Sequence, residues 1–376
     1  MNRNCFERMI APVGFCHYDD SIWFLQFNIS VLVKLNLKSM GIEDAYRIPN
    51  KPLIRVGAYT DKVIEHEGVL YIFLNDSERI FRFSIIESRF IEPISFPVGF
   101  KIRGNAIVKY SDLILIMPYG GDNIIILNLS NNTINSIPVE LTDLYIKNNC
   151  CCYKDGIYFV DMRKNQIYIL NMNTLTMDTR PFKMGEGIHF GICENEGRFF
   201  IPDDSKEEIC IINDKNETSY IKGFPNGYKY LSGASFISMH KMNGYIYLFP
   251  QDSNMILKID CEKNSIGSIT SLDEFGICID AQKNKFISQI YNDVIRIGDM
   301  FYSYYYMGQC WHIIDPTTDT IERAELKIDS EEVMDMLCRL FDVEEREEII
   351  LKEGPGVYNL PFFIKSLIHV HTCINN

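Results

Sequence analysis

Three groupings of polar side chains in this 376-residue chain have residue types that could do chemistry. Asp203 and Asp204 are neighbouring carboxylates, the groups that general acid and base catalysis commonly uses. A catalytic pair also needs a defined spacing and burial, which adjacent positions in one loop do not establish. A solvated loop is therefore the favoured interpretation of this pair.

Cysteine and histidine residues form the other two groupings. The run Cys150–Cys152 falls in a predicted strand, where successive side chains alternate between faces and cannot all bind one metal ion. His369, His371 and Cys373 would share one face of an extended segment, as zinc ligands can. Packing is favoured for the first group and an ordinary terminal segment for the second, so no metal site is predicted.

Two Cys–His pairs also lie in predicted strands, Cys16 with His17 and Cys310 with His312. Neither has an acid or an oxyanion-binding element that would complete a nucleophilic site, which favours a packing role. No glycine-rich phosphate loop follows a strand and opens a helix. The sequence therefore predicts no catalytic residue and no cofactor.

The overall charge excludes several classes of partner. A net charge of -13 and a pI near 5.1 argue against sequence-independent binding to nucleic acid and against an anionic membrane surface. The N-terminal sequence MNRNCFERMIAPVGF lacks the apolar run of a secretory signal, and no segment approaches the roughly 20 apolar residues that span a bilayer. The 12 cysteines are then expected to be reduced, and the predicted location is cytoplasmic.

A repeated plan runs through the chain and decides its fold. Seven segments each contain an apolar stretch, a short polar turn, an aromatic-rich run, a polar loop, a β-branched run and a final turn with a weaker strand. Asn or Asp side chains suit the end of the β-branched run because they can bind the backbone amides of the turn that follows. The residues at this position are Asn36, Ser84, Asn128, Asn171, Asn213, Asp260 and Asp315.

These apolar runs are strands rather than helices, because they are short, rich in Ile, Val, Tyr and Phe, and bounded by turn residues. Their spacing is close to that of a four-stranded blade. The predicted fold is all-β, a seven-bladed β-propeller over residues 1–328, with a short C-terminal helical extension over residues 329–376 packed on the propeller. The blade count stays open by one, because the first unit could pair its outer strand differently and the tail could contribute a strand. A docking element for a partner is the alternative role of that extension.

The phrase FPVGFK at Phe96 recurs as FPNGYK at Phe224, three repeat periods later. Each copy follows the fourth strand of one blade and precedes the innermost strand of the next. Proline suits the exit from an outer strand and glycine permits the reversal, so the phrase is predicted to be a blade-to-blade connector.

With this framework the chain resembles the kelch-like and related β-propellers over about residues 10 to 328. The segment LILIMPYGGDNIIILNLSNNT is nearest to the family pattern, with Gly120 and Gly121 in the position of its double glycine. Other units replace that pair, and the regular Trp of the family is absent except for Trp23 and Trp311. The resemblance implies the architecture and transfers no catalytic residue, because propellers host many functions.

Function is expected on the rim where the blade connectors meet the loops between second and third strands. Long loops on a rigid scaffold commonly carry function, and Tyr and Arg are favoured in interfaces. The turns between first and second strands, by contrast, are short. The residues predicted to bind on this rim are Arg55, Arg103, Tyr119, Asp122, His189, Asp203, Asp204, Tyr228, Lys229, Asp252, Tyr305 and Tyr306.

The first functional hypothesis is a noncatalytic cytoplasmic recognition or scaffold propeller that binds a protein or peptide through this rim. The second is a carbohydrate-directed lyase or hydrolase with a site at the mouth of the central channel, which a cluster of buried ionisable groups there would favour. A small-ligand sensor that uses the channel is a third.

Overall fold

The computed structural model describes residues 12–27, 30–51, 61–103, 106–121, 123–139, 144–145, 150–161, 164–183, 191–203, 206–230, 236–271, 290–306 and 308–328. Within these ranges every regular element is a β-strand, and the strands form seven blades of four antiparallel strands each. The predicted propeller is therefore confirmed. The predicted helical extension lies outside the described residues.

Each blade is built from consecutive segments of the chain. The strands of blades 1 to 3 are β1 (Pro12–Tyr18), β2 (Ser21–Gln26), β3 (Val31–Asn36), β4 (Gly41–Arg47), β5 (Lys62–His66), β6 (Val69–Phe73), β7 (Arg79–Ser84), β8 (Arg89–Ser95), β9 (Ile107–Tyr110), β10 (Leu113–Ile116), β11 (Tyr119–Gly121), β12 (Asn123–Asn128), β13 (Thr133–Pro138) and β14 (Leu144–Tyr145). Strands β11 and β14 pair with each other in a small separate ribbon, and the other twelve make the three blades.

The remaining blades repeat the same order. Their strands are β15 (Cys151–Tyr153), β16 (Gly156–Val160), β17 (Gln166–Asn171), β18 (Met177–Pro181), β19 (Cys193–Asn195), β20 (Arg198–Asp203), β21 (Glu208–Ile212), β22 (Thr218–Lys222), β23 (Phe236–Met242), β24 (Tyr245–Pro250), β25 (Met255–Asp260), β26 (Ser265–Ser271), β27 (Ile295–Ile297), β28 (Met300–Tyr305), β29 (Cys310–Asp315), β30 (Thr320–Glu325) and β31 (Lys327–Ile328). All the predicted second and third strands are present, and β31 joins blade 1.

The turn after the third strand has the same side-chain bond in all seven blades. Asn171 Oδ1 accepts hydrogen bonds from the amides of Asn173 (2.9 Å) and Thr174 (3.1 Å), and Asp315 Oδ1 accepts one from Thr317 (2.7 Å). The other five polar residues at this position make the same kind of contact. The sequence prediction that these residues hold the following turn is confirmed.

The turns between first and second strands are two residues long in every blade, and the first residue of each has a positive φ. Such tight turns match the twist of the strands they join. With the turns after the third strands they form one face of the ring, which we call the turn face.

Side chains on the turn face tie each blade to the next. Tyr71 Oη of blade 2 donates to Asn132 Oδ1 of blade 3 over 3.1 Å. Arg198 of blade 5 donates to Asn264 of blade 6, and Lys258 of blade 6 pairs with an acid in the corresponding turn of blade 7. Polar groups on this face are thus used for cohesion of the ring.

Seven apolar cores lie between the blades, one for each neighbouring pair, including blades 7 and 1. In the core that joins blades 7 and 1, Trp311 is fully buried, with its ring centroid 5.1 Å from Phe15 and 6.2 Å from Phe24. Fully burying a side chain of this size contributes roughly 2–3 kcal/mol. If the ring did not close, the apolar faces of blades 7 and 1 that pack on each other would both be exposed to water.

Closure of the ring brings a strand from the C-terminal part of the described chain onto the outer edge of blade 1. Strand β31 lies parallel to β4, where Lys327 N donates to Met40 O over 2.9 Å. Leu326 is buried in the core between blades 7 and 1. Tyr306 Oη donates to the carbonyl oxygen of Pro12, which joins the end of β28 to the start of β1.

The inner strands of blades 1 and 2 approach closely at Gly14. This glycine has φ +59 within a bulge of β1, and a Cβ atom there would lie 2.6 Å from the carbonyl oxygen of Asp61. No side chain fits that space without moving the backbone of blade 2. The fold therefore requires glycine at this position.

We expect Gly14→Ala to lower the free energy of unfolding by about 3 kcal/mol, since it combines an unfavourable φ with an overpacked contact. Urea unfolding followed by circular dichroism measures the change.

Gly298→Ala is the matched control, because Gly298 has φ +58 and open space where a Cβ would be. We expect it to cost only about 1 kcal/mol, the backbone contribution alone. Equal destabilisation by the two variants would contradict the close approach of blades 1 and 2.

Candidate functional site: the connector rim

The face opposite the turn face is formed by the blade connectors and by the loops between second and third strands, and we call it the connector rim. Its connectors, such as that between β8 and β9, are several times longer than the two-residue turns on the other face. Length alone does not make a loop a binding surface, so the local geometry of the connectors decides how well they could present side chains.

The two copies of the repeated phrase adopt the same turn. Phe100 N donates to Pro97 O, and Tyr228 N donates to Pro225 O, each over 3.1 Å. Gly99 has φ +87 and Gly227 has φ +85, the value that the third residue of a type II turn requires. The recurrence of Pro-x-Gly in the sequence therefore records one local conformation.

In both copies, the two aromatic residues that flank the Pro-x-Gly turn contact each other. The rings of Phe96 and Phe100 lie 4.9 Å apart in the first copy, and those of Phe224 and Tyr228 lie 4.8 Å apart in the second. Tilted or edge-to-face contacts at these distances are favourable for aromatic pairs. The aromatic positions of the phrase thus stabilise the turn itself.

Backbone hydrogen bonds hold each connector against a neighbouring loop. Asp76 N donates to Ile102 O over 2.7 Å, and Ile102 N donates to Ser77 O over 3.2 Å. In the second copy, the Asn254 side chain accepts from Lys229 N (2.8 Å) while Asn254 N donates to Lys229 O (3.0 Å). The connectors are braced in one conformation, which reduces the entropy lost when a partner binds.

Charged side chains around the first copy remain accessible. Arg103 lies 3.6 Å from Asp76, and Lys101 lies 3.0 Å from Glu78, with all four side chains at least 40% exposed. The hydrogen bond from Lys101 holds the pKa of the Glu78 carboxyl below its usual value. Exposed pairs of this kind contribute little to stability, so these groups are available to a partner at small cost.

Apolar and aromatic side chains are exposed beside these charges. Val98, at the tip of the first turn, is fully exposed, and Tyr230, after the second turn, is 38% exposed. Lys229 is exposed and Tyr228 is half-buried. The rim thus combines cationic, aromatic and apolar groups on braced loops.

Three predicted rim residues are inside the protein rather than in solvated loops. Asp203 and Asp252 are 1% and 5% exposed, and Asp203 lies directly opposite Glu208 in the β20–β21 pair. Tyr305 packs in the core between blades 6 and 7, where burial raises its pKa to about 12. The expectation of a solvated loop at Asp203 is corrected, because this residue is the last of strand β20 and its side chain is buried.

Of the other predicted residues, one lies at the ring seam, one lies in a short strand and four fall outside the described residues. Tyr306 bonds to the carbonyl oxygen of Pro12 and so helps to close the ring. Tyr119 lies in β11. Arg55, Asp122, His189 and Asp204 lie outside the described residues.

Sequence reasoning missed a buried carboxylate that follows the second strand of blade 4. Asp161 is fully buried, at the place that Asp203 occupies in blade 5. Alignment of the second strands across the repeats would have shown this pattern. Sequence reasoning also missed Tyr230, which directly follows the second copy of the phrase.

Ionisable groups also occur near the central channel. Lys62 Nζ of blade 2 lies 2.7 Å from Asp293 Oδ2, just before β27 of blade 7, so this ion pair reaches past blade 1. His240 of β23 packs against the rings of Phe249 (5.6 Å) and Phe301 (5.5 Å). Burial lowers the pKa of His240 to about 4, so its imidazole is neutral at neutral pH.

Cys150 and Cys151, at the inner strand of blade 4, face two different interblade cores. Cys150 packs toward blade 3 and Cys151 toward blade 5, as the alternation along a strand requires. Burial raises the pKa of the Cys151 thiol well above its usual value.

In the described ranges, no three His, Cys, Asp or Glu side chains gather as a metal site, and the segment that holds His369 lies outside those ranges. No helix in the same ranges is long and apolar enough to cross a membrane.

Known structures share this architecture at low sequence identity. A streptogramin B lyase superposes with a TM-score of 0.59 and 18% identity over 78% of this chain and 90% of the lyase. A catalytically inactive histidine-to-alanine variant of virginiamycin B lyase from Staphylococcus aureus, with quinupristin, gives a TM-score of 0.59 and 14% identity over 80% of this chain and 93% of that one. The computationally designed Ika8 protein gives 0.56 and 7% over 86% and 89%.

At these identities the similarity shows the fold alone, a seven-bladed β-propeller. No protein-family model and no curated protein matches the sequence. The likeness to kelch-like propellers therefore stays a resemblance.

We expect His240→Phe to reduce the loss of stability at acid pH. Between pH 6.5 and about pH 4 the unfolded chain binds a proton at this histidine that the folded chain excludes, so the free energy of unfolding falls as the pH falls. The groups that act on His240 are Asp293, which favours its protonation, and Lys62 and Arg296, which oppose it.

Urea midpoints at pH 7 and pH 4.5 measure this effect. The wild-type protein should lose on the order of 2 kcal/mol more than the variant over that interval. An identical loss in both proteins would show that His240 is not the buried neutral group described above.

Proposed function

We propose that this protein is a noncatalytic recognition module that binds a protein or peptide through its connector rim. The observation that carries the proposal is the difference between the two faces of one rigid ring. The turn face has minimal turns whose polar groups tie blades together, whereas the connector rim has long, braced loops with exposed side chains.

The chemistry of the rim supports a protein partner. Arg103, Val98 and Tyr230 supply a cation, an apolar tip and an aromatic ring, and Arg and aromatic residues dominate binding energy in many protein interfaces. Bracing of the loops by backbone hydrogen bonds favours binding, because little conformational freedom is lost. The net charge of -13 makes nucleic acid an unsuitable partner.

We place the function in the cytoplasm. Eight cysteines within the described residues are unpaired, five of them buried, as expected for a protein in a reducing compartment.

The test compares two double variants on opposite faces, each with one Arg→Glu change and one truncation of a large exposed side chain to Ala. The rim variant is Arg103→Glu with Tyr230→Ala, and the turn-face control is Arg296→Glu with Ile86→Ala, since Arg296 and Ile86 are exposed near turns on that face. Each tagged protein captures partners from extracts of its source cells, and quantitative mass spectrometry compares the bound proteins with the wild type.

We expect the rim variant to capture at least tenfold less of a specific partner protein than the wild type, and the turn-face control to capture the wild-type amount. Each lost hot-spot side chain costs more than 1 kcal/mol, so two of them give a change of this size. Equal recovery by the two variants would reject the connector rim as the binding surface.

Catalysis at the channel, as a lyase or hydrolase, is the second candidate function. It is favoured by the neutral His240 beside the Lys62–Asp293 ion pair, and by the fold that streptogramin B lyase shares with this chain. Incubation with quinupristin followed by mass spectrometry tests the most direct form of this candidate. The recognition proposal expects quinupristin to stay intact, and turnover that His240→Phe abolishes would favour the lyase instead.

A further inference from the structure

A cavity of about 310 Å³ lies between the outer parts of blades 1 and 2, and its lining runs along β8 from the connector-rim end toward the turn face. Pro49 and Asn50 line one side and belong to the connector that leaves β4. Strands β7 and β8 of blade 2 form the other side. We call this cavity the blade 1–2 groove.

The floor of the groove is aromatic. Phe81 is 5% exposed and packs in the core between blades 1 and 2, and Phe90 is half-buried beside it. The volume is near the lower end of the roughly 300–1,000 Å³ that ligand pockets occupy. The groove therefore has room for a few side-chain groups rather than for a folded segment.

Cationic side chains line the groove in an acidic protein. Arg79 begins β7 at the connector-rim end, and the Lys51 ammonium lies 5.6 Å from the centre of the Phe81 ring, whereas Arg89 begins β8 at the opposite, turn-face end. Arg89 is engaged by Glu87 at 2.5 Å. No carboxylate within the described ranges lies at ion-pair distance from Arg79, which leaves its guanidinium available to an incoming anion.

The outer strand of blade 2 is protected against the addition of another strand. Pro93 of β8 has no amide hydrogen, and Arg82 Nε already donates to the carbonyl oxygen of Glu92 over 2.7 Å. A proline and an occupied carbonyl interrupt the ladder that an added strand needs. A partner must therefore be recognised in the groove through its side chains.

We infer that the blade 1–2 groove binds an acidic side chain of a peptide partner, with a neighbouring aromatic or aliphatic side chain on the Phe81–Phe90 floor. The planar fork of Arg79 matches a carboxylate through two parallel hydrogen bonds, which a point charge could not reproduce. Glu92 also lines the groove, and its carboxylate disfavours a second acid at the same site. This inference rests on the proposed function and names the class of partner that the rim takes.

The experiment uses two capped peptides of sequence Gly-Phe-Glu-Phe-Gly and Gly-Phe-Gln-Phe-Gly, so that a single carboxylate distinguishes them. The full-length protein carries ¹⁵Nε-labelled arginine, and the side-chain signal of Arg79 is assigned by its loss in Arg79→Gln. Each peptide is titrated into the wild-type protein, into Arg79→Gln and into the control Arg296→Gln, whose arginine lies near the turn face.

We expect the Glu peptide to shift the Arg79 signal and to bind at least tenfold more tightly than the Gln peptide. Arg79→Gln should lower the affinity for the Glu peptide at least tenfold. Arg296→Gln should keep this affinity within twofold of the wild-type value. Addition of 0.5 M NaCl should weaken binding of the Glu peptide more than binding of the Gln peptide, because charge carries the difference.

Equal binding of the two peptides, or equal affinity in Arg79→Gln and the wild type, would overturn the inference. Inorganic phosphate that displaces the Glu peptide at equal concentration would also overturn it, since the groove would then be a general anion site. Loss of a captured partner in the Arg103→Glu, Tyr230→Ala variant but not in Arg79→Gln would reject the groove and leave rim recognition standing.

Discussion

Closure of the ring is the constraint on which the rest of the molecule depends. Each blade is a twisted sheet with two apolar faces, and seven cores hide those faces only because blade 7 packs on blade 1. Trp311 and Phe15 fill that seam, Gly14 lets the first two inner strands meet, and the Lys62–Asp293 pair bridges the inner strands on either side of blade 1. A circle held in this way fixes the position of every loop on its two faces.

The loops on the two faces of the ring have different roles. The reversals on the turn face need only short turns, and side chains on that face are already used to bind the next blade. Passage from one blade to the next must cross the full radius of the ring, which demands longer connectors. The connectors are therefore long enough to carry functional side chains. Hydrogen bonds to neighbouring loops hold the connectors in one conformation, so these side chains form a defined surface.

The repeat made the fold readable from the sequence, because the polar residue after each third strand performs one local task seven times. The Pro-x-Gly phrase was readable for the same reason, since one turn type requires glycine at one place. Placement of single side chains was harder. Asp203 and Tyr305 look like loop residues by type and position, yet each ends a second strand and is buried, Tyr305 in the core shared with blade 6. The groove at Arg79 joins segments from two blades, a meeting that spacing along one blade could not reveal.

Amide hydrogen exchange measured by mass spectrometry tests ring closure most directly. In a closed ring, peptides that cover β2 and β3 of blade 1 and β28 and β29 of blade 7 open only with the rest of the structure. Their protection should then match that of β16 and β17 in blade 4. Exchange in blades 1 and 7 that is orders of magnitude faster than in blade 4 would show an open array with frayed ends, and would contradict the closed ring.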